Sequence, residues 1–247
     1  MASDYSMFSP AQYLEAFYGE TDEGAEGSFL MKFFHDAYLA LPDNLNILEV
    51  GGGPTIYQLI SASSKAKEII FSEYADENIA EVKKWLSADE TAFNWDDYFK
   101  MVLKYEGKVT SFDNLNSIKF RLHSRLKKFA KCDIFKSNIL EPLELAGFDV
   151  VSVNFCPEGV ATAKEEYILA MSNVLAKLRD GGQLLMTSIR NANYYTIGAN
   201  KFSAFPISEK ELRQILEDFK LKDIKIEVYP VDYGDGYDGL MTISALK

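Results

Sequence analysis

Apolar positions in this chain follow two alternating rhythms. Short hydrophobic runs at 46–50, 68–72, 148–155 and 183–188 read as buried strands. Between them, apolar residues recur at helical spacing. Leu30, Phe34, Ala37, Tyr38 and Leu41 predict a helix over 28–41, ended by Pro42-Asp43-Asn44. Residues 8–20 are aromatic and mildly amphipathic, with Phe8, Tyr13, Leu14, Phe17 and Tyr18. A helix is expected at 57–61, and Ile79, Val82 and Leu86 share one side of another over 76–86. Trp95, Tyr98, Phe99, Val102 and Leu103 suggest a further helix. Leu122, Leu126 and Phe129 suggest one more, beyond a polar loop, with a short strand at 131–134.

The strongest helical pattern is 164–178, where Tyr167, Ala170, Met171, Val174, Leu175 and Leu178 fall on one face. Arg179-Asp180-Gly181-Gly182 is expected to stop it. Ser208-Glu209-Lys210-Glu211 has the form of a capping box ahead of Leu212, Ile215, Leu216 and Phe219. Two strands, 223–228 and 240–246, close the chain around Gly234, Gly236 and Gly239. Strands alternate with helices up to residue 219 and then follow one another. That order predicts an α/β fold: a doubly wound, seven-stranded mixed sheet whose last pair forms a hairpin with one antiparallel member.

Length and composition narrow the class. At 247 residues, 47% apolar and 26% charged, the chain fits one large α/β domain spanning 1–247. A net charge of −11 opposes nucleic acid and anionic membranes. Only two cysteines occur, Cys132 and Cys156, and they read as free thiols of a reducing compartment. Met1–Phe8 lacks the basic start of a secretory leader, and no apolar run approaches the roughly 20 residues of a membrane span. A cytoplasmic enzyme or binding protein is expected. His35 and His123 lack ligand spacing, so no metal is expected, and Cys156 has no paired histidine.

Candidate chemistry concentrates at Ile47-Leu48-Glu49-Val50-Gly51-Gly52-Gly53-Pro54. Glycines after a strand let backbone lie against a ligand. Glu73, ending the next strand, is placed to accept from ribose hydroxyls. A nucleoside cofactor follows, and two kinds compete. A dinucleotide loop wants a third glycine where this chain has Ile56. The E-x-G-x-G order beginning at Glu49 suits a cofactor with an ammonium and a sulfonium. Further blocks are Lys131-Cys132-Asp133-Ile134, Phe148-Asp149-Val150-Val151 and Leu178-Arg179-Asp180-Gly181-Gly182.

The order of these blocks resembles the seven-stranded, Rossmann-like class I methyltransferases that use S-adenosyl-L-methionine. A narrower resemblance rests on Phe8-Ser9-Pro10-Ala11-Gln12-Tyr13-Leu14-Glu15-Ala16-Phe17-Tyr18, Gly53-Pro54-Thr55-Ile56-Tyr57-Gln58-Leu59, Lys84-Trp85-Leu86, Tyr194-Tyr195-Thr196-Ile197-Gly198 and Lys201-Phe202-Ser203. These runs are similar to the small-molecule N-methyltransferases acting on nicotinamide, phenylethanolamine or indolethylamine. The resemblance implies an N-terminal helical lid over 1–44 and a core over 45–247. It implies cofactor contacts from Tyr13, Tyr18, Gly51, Gly53, Tyr57, Glu73, Asn78, Asp133, Ile134 and Asn154. It places acceptor contacts at Tyr195, Ser203 and Asp235, and puts Tyr18 and Ser188 at the reacting centre. Ser188 stands where nicotinamide enzymes of the family carry Asp, which disfavours nicotinamide itself.

The expected reaction is methyl transfer to nitrogen of a small amine or pyridine-type heteroaromatic acceptor, by a monomer that binds neither nucleic acid nor membrane. An NAD(P)-dependent oxidoreductase stays open on the glycine loop and Glu73. A catalytically inactive cofactor-binding protein stays open on Ser188.

Overall fold

A computed structural model describes residues 7–19, 26–231 and 236–247. The elements run α1 (Pro10–Tyr18), α2 (Glu26–Leu39), β1 (Leu45–Val50), α3 (Tyr57–Ala62), β2 (Ala66–Glu73), α4 (Asp76–Leu86), α5 (Asp96–Tyr105), α6 (Phe112–Arg125) and β3 (Leu126–Lys131). They continue with β4 (Phe148–Asn154), α7 (Pro157–Val160), α8 (Lys164–Leu175), β5 (Leu178–Arg190), β6 (Tyr194–Ile197), β7 (Asn200–Ser203), α9 (Glu209–Asp218), β8 (Lys222–Pro230) and β9 (Gly239–Leu246).

Seven strands form one sheet in the order β3-β2-β1-β4-β5-β9-β8. The first five are mutually parallel, and β9 runs antiparallel to both β5 and β8. β9 is thus the one antiparallel member, as the hairpin predicted. Strand order reverses at β1, because the chain moves outward to β2 and β3 and then returns to β4 on its other side. A crevice opens at such a reversal, beyond the carboxyl ends of β1 and β4.

Each face of the sheet buries its own core. Phe34, Tyr38, Tyr57, Trp95, Phe99 and Leu122 cover one side, and Tyr167, Met171, Val174, Leu212 and Leu216 cover the other. Helix ends follow local chemistry. Ser9 caps α1 through the Gln12 amide, with Pro10 in the first turn. The capping box at Ser208 and Glu211 is formed in both directions.

Three expectations change. Phe129 lies on β3 rather than a helix, paired with Phe71 of β2, so the strand ends at Lys131 instead of starting there. The helix expected over 164–178 stops at Leu175, and Leu178 already pairs with Phe148. Leu178 is buried in either reading, so periodicity could not place the boundary. Tyr194–Ile197 and Asn200–Ser203 form a separate two-stranded ribbon that the hydrophobic pattern did not announce.

Candidate functional site

The Gly51–Thr55 turn leaves β1 at the reversal point. Gly51 and Gly53 have φ of +61° and +60°, where a side chain would be strained. A Cβ on Gly51 would lie 2.3 Å from Cys156 Sγ, whereas one on Gly53 would point into open space. The turn is fixed from below. Thr55 Oγ1 donates to the Gly52 carbonyl at 2.9 Å, and Gln58 Nε2 donates to Glu49 Oε1 at 3.0 Å. The Thr-Ile-Tyr-Gln run is therefore the brace of the glycine loop.

Glu73, at the tip of β2, reaches back to the same loop. Its Oε2 accepts from the Gly53 amide at 2.9 Å, and its Oε1 accepts from the Ala75 amide at 2.9 Å and Asn78 Nδ2 at 3.3 Å. A carboxylate has about four lone-pair positions, so one on Oε2 is unspent. Asn78 Oδ1, next to it, is buried with no partner. Glu73 and Asn78 thus each keep an unspent acceptor position.

Glu49 lies fully buried beneath the loop. Its Oε1 accepts from Gln58 and from Asn154 Nδ2 at 3.0 Å each, while Oε2 has no partner. Burial pushes its carboxyl up to about 7. Asn154 also donates to Ser152 Oγ at 2.9 Å and accepts from Thr187 Oγ1 at 3.0 Å. Both Nδ2 hydrogens are committed, so the side chain retains a single lone pair for anything above it.

Above the loop is a cavity of about 700 Å³, within the range of small-molecule sites. Gly51, Gly53, Tyr57, Glu73, Asn78, Asp133, Ile134 and Asn154 all line it, and so do Tyr13, Tyr18 and Tyr195. The tyrosines form an aromatic chain, with Tyr18 5.8 Å from Tyr13 and 5.2 Å from Tyr57 between ring centres. Burial pushes all three phenols up, which keeps them neutral. Phe8 bridges Tyr13 and Phe202 of the ribbon at 5.3 and 6.0 Å, and Tyr195 stacks on Phe202. Among the described residues lining the cavity, four are carboxylates (Glu26, Glu73, Glu77 and Asp133) and none is Lys, Arg or His.

Two expected acceptor contacts lie elsewhere. Side chains alternate along β5, so Leu185 joins the cavity-side core and Leu184 and Met186 the other. Ile189 therefore lines the cavity, while Ser188 is fully buried beside Glu158. Ser203 sits across from Tyr194 on the ribbon and is exposed, because the same alternation turns Phe202 inward. Asp235 lies outside the described residues.

Sequence reasoning missed two carboxylates. Glu158, on α7 beneath the wall formed by Cys156, Gly159 and Val160, is fully buried. Its Oε1 accepts from the Ile189 amide at 3.0 Å and its Oε2 has no partner. Burial pushes it up to about 7, against the pull of the Ile189 amide and Ser188. Glu26, in the first turn of α2, lines the cavity, and its Oε1 is also buried and unpartnered. No periodicity or motif marked either. Cys132 and Cys156 are free thiols with pKa pushed up by burial, and no cluster of potential metal ligands occurs among the described residues. Nor is any described helix long and apolar enough to cross a membrane.

The sequence model of the NNMT/PNMT/TEMT family matches residues 1–247. Human nicotinamide N-methyltransferase is 28% identical over 250 residues, covering 98% of this chain and 94% of that protein. Human phenylethanolamine N-methyltransferase is 26% identical over 249 residues, covering 96% and 87%. Among solved structures, an S-adenosylmethionine-dependent methyltransferase from Methanosarcina mazei superposes with a TM-score of 0.58 at 14% identity, covering 86% of this chain and 96% of that one.

Proposed function

The chain belongs to the NNMT/PNMT/TEMT family of S-adenosylmethionine-dependent N-methyltransferases, and within it we propose that this protein methylates the nitrogen of a small amine. One observation carries the reading of the acceptor: among the described residues the cavity lining is aromatic and acidic and offers no basic side chain. Such a lining favours a cationic or neutral amine over an anionic acceptor. It gives a dinucleotide pyrophosphate no side-chain counter-charge, which argues against the oxidoreductase alternative.

The residues present fit the cofactor. Glu73 and Asn78 would hold the ribose hydroxyls with their free acceptor positions. Gly51 and Gly53 would let the backbone approach the methionine portion, with the buried Glu49 carboxyl beneath it. Asp133 and Ile134 would edge the adenine, and Tyr13, Tyr18 and Tyr57 would close over the charged centre. When bound, S-adenosylmethionine supplies a methyl group on a cationic sulfur.

The work left to this chain is alignment, water exclusion and removal of one proton. Alignment comes from rigid aromatic walls, and holding reactants in line lowers the barrier through entropy already surrendered on binding. Excluding water falls to Tyr13, Tyr18 and the Phe8–Phe202 contact. An amine must shed a proton, and Glu158 has an affinity for one near neutral pH.

The test is a mass-detected panel of primary amines, secondary amines, pyridines and thioethers with purified protein and cofactor, alongside calorimetry with S-adenosylhomocysteine. Methylated amine products support the proposal. Product from pyridines or thioethers alone refutes the amine assignment, and tight S-adenosylhomocysteine binding with no product from any acceptor supports an inactive binding protein.

A further inference from the structure

We infer that Glu26 is the specificity-determining carboxylate of the acceptor half of the cavity, accepting a hydrogen bond from an N–H of the amine. The inference rests on the amine reading above and narrows it to acceptors that carry an N–H.

The cavity has two chemically different ends. Glu73, Glu77 and Asp133 belong to β2, α4 and the segment after β3, all on one side of the strand reversal. Glu26 belongs to α2, which packs on α3 and α5 and also reaches β5 and β9, the strands whose Ile189 and Leu240 line the cavity. Among the described residues lining the cavity it is the one carboxylate there. Ser188, expected to serve the acceptor, points away behind the sheet.

The bonding state of Glu26 is the second observation. Its Oε1 is buried and without a partner, and no described Lys, Arg or His forms an ion pair with it. Burying a carboxylate oxygen unmet is destabilising. The first turn of α2 offsets part of that through the helix dipole. A structural role would show a hydrogen bond, as Glu211 shows at the start of α9. Glu26 lines the cavity and makes no hydrogen bond or ion pair with any described residue, so its carboxylate is left for an N–H of the ligand. Pyridines and thioethers have no such donor.

The experiment compares wild type with Glu26→Gln and Glu26→Ala. Acceptor KM is measured for a primary amine and for a pyridine. Binding of the primary amine to S-adenosylhomocysteine-saturated protein is measured by calorimetry, and thermal melting checks the fold. Glu26→Ala is expected to raise amine KM at least tenfold, with pyridine KM and S-adenosylhomocysteine affinity within about twofold of wild type. Glu26→Gln, which keeps a neutral acceptor oxygen, should fall between. Equal losses for both acceptors, or none, would overturn the inference. If nothing is methylated, the functional reading fails and calorimetry decides separately. Amine binding that is lost in Glu26→Ala upholds the role, and binding that is absent in wild type or unchanged in the variant overturns it.

Discussion

Replacing Glu73 by alanine should weaken cofactor binding far more than it weakens the fold. Glu73 spends three of about four lone-pair positions on Gly53, Ala75 and Asn78, leaving one on Oε2 for the ligand. A hydrogen bond to a charged acceptor contributes about 1.5–3 kcal/mol, so S-adenosylhomocysteine affinity should fall roughly 10- to 100-fold. Releasing the Gly53 amide adds a smaller loss, since the loop that cradles the ligand is no longer tied to β2. Global stability should fall by only about 1–2 kcal/mol, because the freed amides can reach water at the cavity wall. Glu73→Gln should resemble alanine more than wild type, because its amide nitrogen must face either the Gly53 or the Ala75 N–H, donor against donor. Calorimetry gives the affinity and urea titration the stability. A fully folded Glu73→Ala protein with wild-type affinity would refute the assignment of Glu73 to the ribose.

Other expectations follow from the same geometry. Gly51→Ala should destabilise the protein by about 2 kcal/mol or more, since its Cβ would collide with Cys156 Sγ at 2.3 Å, whereas Gly53→Ala should cost about 1 kcal/mol of backbone strain yet still weaken cofactor binding. Urea titration and calorimetry distinguish the two, and equal effects would contradict the open space above Gly53. Glu49, raised from 4.5 to about 7, binds a proton more readily folded than unfolded, so the ligand-free protein should lose up to about 3 kcal/mol as pH rises from 4.5 to 7. Glu49→Gln should flatten that slope in part, with Glu158 supplying the rest, and an unchanged melting profile would count against it. With an amine acceptor, kcat should rise with pH through about 7, and Glu158→Gln should be slower and lack that limb. Retention of the limb would remove Glu158 from the proton path.

Local signals in the sequence located the glycine-loop side of the cavity well. The glycine turn, Glu73 and the 76–86 helix each rest on contacts within a few residues or on a single βα unit, and the structure places them as read. The expected acceptor contacts were less legible because they depend on which face a strand presents. Ser188 and Ile189 are adjacent, and alignment by number could not say that the second lines the cavity. Ser203 failed for the same reason, one step from Phe202. Glu26 and Glu158 carry no neighbouring pattern. Their positions at or behind the cavity wall arise only from the tertiary packing of α2 and α7, which periodicity does not encode.

The contact between Phe8 and Phe202 joins segments far apart in the chain through a small aromatic cluster with Tyr13 and Tyr195. Such a latch is weaker than the sheet it guards by many kilocalories. Mild denaturant should therefore spring the doorway while the strands stay intact, and turnover should vanish at concentrations where circular dichroism still reports a native protein.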